Sequence, residues 1–323
     1  MVDSGWTGVL PPRWRSVVEQ MPEKELAEVE EIRLRLGRPL EWVSRGKSQF
    51  LNLQGGLSGR LSRIDPVTAE DCQRMLNLIS HSSLYALEEE LRQGYITLPG
   101  GHRVGLAGKA VLQAGSVKTL RDITCFNLRI AREVVGAANR AMSFLYDQQR
   151  DEICHTLILS PPQCGKTTLL RDIARQVSYG ASPLRRGFKV SIVDERSEIA
   201  GCYMGQPQLD VGPRTDVLDS CPKVEGIFMM LRSMSPEVIC VDEIGSVQDA
   251  RALAEGIHAG VKVIATAHGS DLDDVLSRPS FRDDFFRQTF ERILLLGRTK
   301  GTASLKQVLD SEHRILWKEV ARE

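Results

Sequence analysis

Several classes of protein are excluded by what this sequence of 323 residues has little of. No run approaches the ~18 consecutive apolar residues of a membrane-spanning helix. The start, Met1-Val2-Asp3-Ser4-Gly5-Trp6, lacks the basic residues and apolar stretch of a signal peptide. Charge of one sign is not in excess: Lys plus Arg and Asp plus Glu are both 42. A neutral chain without an aromatic-basic stripe does not read as a bulk nucleic-acid binder. Seven cysteines, at 72, 125, 154, 164, 202, 221 and 240, form no Cys-x-x-Cys pair, and several lie inside apolar runs. Reduced, buried thiols are the expectation. The six histidines show no metal-ligand spacing. The expectation is a soluble cytoplasmic protein, large enough for two domains.

What is present centres on residues 156–171. Thr156-Leu157-Ile158-Leu159 reads as a buried parallel strand, and an amphipathic helix follows Thr167. Between them, Ser160-Pro161-Pro162-Gln163-Cys164-Gly165-Lys166-Thr167-Thr168 reads as a Walker A loop, a cradle for nucleotide phosphates. Backbone N–H groups from Gln163 to Thr167 can point at a β-phosphate at the helix N-terminus. Lys166 supplies compact positive charge to the β- and γ-phosphates. The Thr167 hydroxyl can ligate Mg²⁺, and Thr168 supports the first helical turn. Ser160 replaces the usual first glycine, which predicts a steric cost if φ is positive there.

Val238-Ile239-Cys240-Val241-Asp242-Glu243 reads as a Walker B strand. Asp242 at its tip is a second Mg²⁺ group, directly or through water. Glu243 is placed to orient or deprotonate an attacking water. Asp194-Glu195-Arg196-Ser197-Glu198 follows another apolar run, 190–193. There Glu195 or Glu198 is an alternative general base, or the stretch is a solvated loop. His268, in Thr266-Ala267-His268-Gly269, either senses the γ-phosphate or is a structural histidine. Arg214, in a long segment that reads as irregular, is a candidate arginine finger across a subunit boundary or a pore-lining residue, and Arg232 is another candidate finger; either is otherwise a surface ion pair. Arg103 and Arg129 are weaker candidates for the same role.

Along the chain, residues 11–26 read as a helix, 31–36 and 40–43 as a hairpin, and 68–79 as a helix capped by Thr68. A helix over 83–92 precedes a glycine-tightened hairpin, 95–98 with 102–108. Two more strands are expected within 109–131, then a helix over 134–148. Helices over 222–233 and 247–257 alternate with the apolar runs 190–193, 238–241 and 261–265. Probable edge strands lie at 292–296 and 305–309. The expectation is an α+β N-terminal domain over 1–133 and an α/β, parallel-sheet P-loop domain over 134–323. In such sheets ligands sit at the carboxyl ends of the strands. Ser160, Asp194-Glu195, Asp242-Glu243 and His268 all stand at such ends.

Residues 193–201 and 210–219 resemble the stage III sporulation protein AA family. So do 229–243, 259–269, Glu31 to Arg35 and Gly100 to Gly105. That family is similar to the motor ATPases of type II and type IV secretion and pilus systems. The resemblance implies a RecA-like core and a homo-hexameric, Mg²⁺-dependent ATPase. It implies an acidic box at 194–198 and a histidine box at His268. It also implies membrane-embedded partner proteins and a place on the mother-cell side of the forespore membrane. Gly245-Ser246 departs from the Arg-Asp usual in secretion motors. Two other readings share the core: a RecA-like nucleic-acid-dependent ATPase, and a ring scaffold ordered by nucleotide.

Overall fold

The computed structural model describes residues 5–60, 64–80, 88–162, 164–269, 271–278, 289–299 and 302–319. The chain folds as two compact units. The first is Met1–Arg132 with Gly201–Gln208, and the second is Glu133–Ala200 with Leu209–Glu323.

In the first unit, α1 (Pro12–Val18) and α2 (Glu23–Glu28) replace the single helix expected over 11–26. Pro22 is the cause: it stands as N-cap of α2, and proline cannot donate inside a continuous helix. The strands are β1 (Val29–Arg35), β2 (Glu41–Ser44), β3 (Lys47–Leu51), β4 (Leu57–Ser58), β5 (Tyr95–Thr97), β6 (Arg103–Gln113) and β7 (Ser116–Arg129). They form one antiparallel sheet in the order β4-β3-β2-β1-β7-β6-β5. The expected hairpin of 31–36 with 40–43 is β1–β2, with Arg33 opposite Glu41. Residues 109–131 do not add two strands. Residues 109–113 prolong β6, and the remainder is β7, in one long hairpin turning at Ala114-Gly115. Helix α3 (Ala69–Ile79) starts at Thr68 with a reciprocal capping box to Asp71. Of the helix expected over 83–92, residues 83–87 lie outside the described residues; α4 is Glu88–Gln93. Trp6, Trp14 and Trp42 are fully buried against β1, β7 and α3 side chains such as Leu34, Leu128 and Met75.

The second unit opens with an irregular stretch. Helix α5 spans only Asn139–Leu145, because the backbone N–H groups of Gly136 and Ala138 are captured by the buried Asp172 carboxylate. Then come β8 (Tyr146–Asp147), β9 (Glu152–Ile153), β10 (Thr156–Ser160), α6 (Lys166–Tyr179), β11 (Val190–Asp194) and β12 (Thr215–Asp219). Next are α7 (Lys223–Ser233), β13 (Val238–Val241), α8 (Val247–His258), β14 (Lys262–His268) and α9 (Leu272–Ser277). The described chain closes with β15 (Arg292–Thr299), β16 (Thr302–Asp310) and β17 (Ile315–Lys318). The main sheet runs β12-β11-β13-β14-β10-β15-β16-β17. Its pairings from β12 to β15 are parallel, and β16 and β17 extend it antiparallel. Every residue of β10, β11 and β13 is buried, which is why each reads as a largely apolar run.

Two expectations are corrected here. The segment containing Arg214 is not wholly irregular, because β12 runs through it and pairs with β11. Its sequence, Thr-Asp-Val-Leu-Asp, is half-buried throughout and too polar to stand out. Nor are β15 and β16 edge strands, since β15 lies between β10 and β16, and β16 between β15 and β17. The sheet order places β14 between the Walker A strand β10 and the Walker B strand β13. Residues at the end of β14 therefore stand between the two motifs.

Candidate nucleotide site

The site is assembled at the carboxyl ends of β10, β11, β13 and β14. Ser160 is the last residue of β10, buried and level with His268 of β14. It is not among the positive-φ positions, so the steric cost expected there is not incurred. The chain instead turns left-handed at Gly165, the N-cap of α6, where φ is 79°. Pro161 is half-buried, Pro162 exposed and Cys164 buried; Gln163 lies outside the described residues. Lys166 is the first residue of α6, with Thr167 and Thr168 half-buried behind it.

Lys166 is 6% exposed. Burial lowers its pKa, opposed by the negative charges of Asp242 and Glu243. Its Nζ lies 3.1 Å from His268 Nδ1, and His268 Nε2 lies 3.0 Å from Glu243 Oε1. A lysine ammonium only donates and a carboxylate only accepts. The neutral Nε2–H form of His268 satisfies both contacts, accepting from Lys166 and donating to Glu243. Arg196 Nη1 donates to the other carboxylate oxygen, Glu243 Oε2, at 2.8 Å. Lys166, His268, Glu243 and Arg196 thus form one continuous polar chain.

A second set of contacts ties the two Walker motifs together. Thr167 Oγ1 donates to Asp242 Oδ2 at 2.8 Å. Asp242 Oδ1 accepts from the buried Thr266 hydroxyl and from the Glu243 N–H. Thr266 Oγ1 in turn accepts from the Glu243 N–H at 2.9 Å. Glu243 has a left-handed backbone, φ 52°, and its carbonyl accepts from Lys223 Nζ at 2.9 Å. Its backbone is therefore held at both N–H and C=O.

The acidic stretch divides its roles. Asp194 is 1% exposed and accepts from the backbone N–H groups of Glu198, Ile199 and Ala200 at 2.8–2.9 Å. Burial pushes its pKa up to about 6, against the pull of those three N–H groups. Glu195 Oε2 pairs with Lys223 Nζ at 3.2 Å. The Glu198 N–H is held by Asp194, and its carbonyl accepts from Arg171 Nη2 at 2.7 Å. Asp194, Glu195, Arg196 and Glu198 line a small cleft with Lys223, Asp242 and Glu243.

The candidate arginine fingers are not brought to this cluster. Arg214 precedes β12, at the amino end of that strand, and Nη1 donates to the Ser178 carbonyl near the far end of α6. At 1.5 Å per residue that end lies roughly 18 Å along the helix from Lys166. Arg232 is in the last turn of α7, stacked over Phe228 ahead of β13. In the first unit, Arg103 covers the Tyr95 ring and Arg129 approaches Glu31. Sequence reasoning passed over Arg196, Lys223, Arg171 and Thr266. For Thr266 a signal existed: it stands two residues before His268, and alternate residues of a strand share a face.

The hydroxyl of Thr167 and the carboxylate of Asp242 are hard oxygen donors already within contact distance. That suits Mg²⁺, which binds through one or two protein oxygens plus phosphate and water. Among the described residues no group of three or more His, Cys, Asp or Glu could hold a metal alone. No helix among them is long and apolar enough to cross a membrane.

Residues 7–316 match the family described as Sporulation stage III, protein AA. Stage III sporulation protein AA of Bacillus subtilis (strain 168) is 47% identical over 308 residues, 95% of each chain. The fold is similar to that of the Legionella pneumophila ATPase DotB, with TM-score 0.62 and 16% identity over 94% of this chain and 81% of that one. It is also similar to the pilus retraction motor PilT with bound ADP, with TM-score 0.56 and 15% identity over 92% and 81%. The fold is that of a RecA-like P-loop NTPase.

Proposed function

The chain belongs to the stage III sporulation protein AA family, and from that premise we propose that it is an oligomeric ATP-hydrolysing motor serving a sporulation channel or secretion complex. The observation that carries the reading is the convergence of Lys166, Thr167, Asp242, Glu243 and His268 at adjacent strand ends. A chance Gly-Lys-Thr at a helix start would not place a base, a hydroxyl–carboxylate pair and an imidazole around it.

In this reading ATP places its β- and γ-phosphates at the N-terminus of α6, where backbone N–H groups and the helix dipole favour anions. Lys166 exchanges His268 for the phosphates. Its burial favours that exchange, since a poorly hydrated ammonium gains much from a new anionic partner. Thr167 and Asp242 would hold Mg²⁺, which when bound neutralises phosphate charge and aligns the leaving group. Glu243, with its backbone fixed by Thr266 and Lys223, orients the attacking water and accepts its proton. His268, released from Lys166, keeps its hydrogen bond to Glu243 and reports whether the γ-phosphate is present.

The finer assignments are likewise proposals. The second unit is the ATPase domain and the first the smaller N-terminal domain. The working form is a homo-hexamer on the mother-cell side, docked by protein contact to membrane-embedded sporulation proteins. Arg214 and Arg232, remote from their own site, act across subunit boundaries. Light scattering after size exclusion, with and without a non-hydrolysable ATP analogue, tests the assembly. A particle that remains a monomer under both conditions would overturn the ring. Steady-state phosphate release by the wild type beside Lys166→Ala tests the chemistry.

A further inference from the structure

The turn after β11 is rich in carboxylates, yet the side chain it delivers to the base is a guanidinium. Its construction explains why. The buried Asp194 carboxylate holds the N–H groups of residues 198–200. The buried Arg171, from α6, donates to the carbonyls of Glu198 and Ile199. Ser197 is left-handed, φ 53°, and its hydroxyl donates to Asp219 Oδ1 at 2.5 Å. Both N–H and C=O sides of the turn are therefore fixed. With them is fixed the point from which Arg196 reaches Glu243 Oε2 at 2.8 Å and Glu195 reaches Lys223, which holds the Glu243 carbonyl.

We propose that Arg196 is a positioning residue for Glu243, aiming its carboxylate at the attacking water, with the Asp194–Arg171 turn as its mount. The inference rests on the ATPase reading. The backbone of Glu243 is held, but its side-chain torsions are not. His268 holds Oε1; a carboxylate held at one oxygen alone can still undergo rotation about that contact. Arg196 on Oε2 stops that rotation. Each carboxylate oxygen has two acceptor sites, so the two contacts leave room for a water proton. A base misplaced by about 1 Å can lose on the order of 10²-fold in rate. Arg196 is 64% exposed, so as an ion pair it contributes little to stability and can be replaced without harm to the fold.

The test compares full-length wild type, Arg196→Ala and Arg196→Lys for ATP turnover, ADP affinity and melting temperature. Expected for Arg196→Ala is a kcat roughly 10–100-fold lower, with ADP affinity and melting temperature unchanged. Arg196→Lys should recover part of the loss. Guanidinium chloride at low millimolar concentration should raise turnover of Arg196→Ala and not of wild type. Turnover of Arg196→Ala equal to or above wild type would overturn the proposal, the latter marking Arg196 as a brake. So would an equal loss of ADP binding or of thermal stability. Absence of ATP turnover by wild type itself would instead remove the ATPase reading, and this proposal with it.

Discussion

Asp194 belongs to the acidic stretch of the sequence and is a buried clamp in the structure, and a pH titration of stability reads that role directly. Burial raises its pKa from 3.8 to about 6, and the charge of Asp219, its neighbour across β11 and β12, acts in the same direction. The folded state therefore binds the Asp194 proton more tightly than the unfolded state. The sign follows: this contribution to stability is complete below the unfolded pKa near 3.8 and is lost as pH rises through about 6. At about 1.4 kcal/mol per tenfold difference in proton affinity, the full loss is about 3 kcal/mol. About 2 kcal/mol of it falls between about pH 4.5 and pH 7.5. Asp194→Asn cannot titrate and serves as the reference. Urea titrations followed by far-UV circular dichroism, on both proteins across that range, give the difference in unfolding free energy. Wild type should lose about 2 kcal/mol relative to Asp194→Asn as pH rises. A difference flat with pH, or one that rises, refutes the buried-clamp reasoning.

Other residues give shorter tests. Thr266→Val keeps the shape but removes the hydroxyl linking Asp242 to the Glu243 N–H; it should cost about 1–3 kcal/mol in urea unfolding and lower ATP turnover. Gly212 has φ +91°, and a Cβ there would meet Ser178 Cβ at 2.5 Å and the Arg175 carbonyl at 2.9 Å. Gly212→Ala should therefore lower the melting temperature, with a loss of at least about 1 kcal/mol. Glu195→Gln should reduce turnover by less than about tenfold, because Glu195 acts through Lys223; a loss of about 10²-fold or more would mark it as the general base.

Legibility in the sequence followed burial. The parallel strands β10, β11 and β13, buried throughout, show as apolar runs, and their ends show the Walker residues. The Thr68 cap was readable because a cap is local. Strand β12 was not, because its half-buried Thr-Asp-Val-Leu-Asp alternates too weakly to suggest an element. The helix expected over 134–148 was shortened by a long-range effect: Asp172, far along the chain, captures the N–H groups that helix would need. Arg196 was hidden for a similar reason. Its partner Glu243 stands 47 residues away in the sequence, and only the strand order β11-β13-β14 brings them together. Arg214 and Arg232 looked equally promising, but both precede their strands, β12 and β13, and so lie away from the carboxyl ends where the site is built.

The most direct measurement is phosphate release from ATP and Mg²⁺ by the purified wild type, Lys166→Ala and Glu243→Gln, with nucleotide binding followed in parallel. Steady turnover by wild type is expected, together with a loss of about 10²-fold or more in both variants and nucleotide binding retained in Glu243→Gln. Turnover by Lys166→Ala equal to that of wild type would contradict the assignment of this site to ATP hydrolysis.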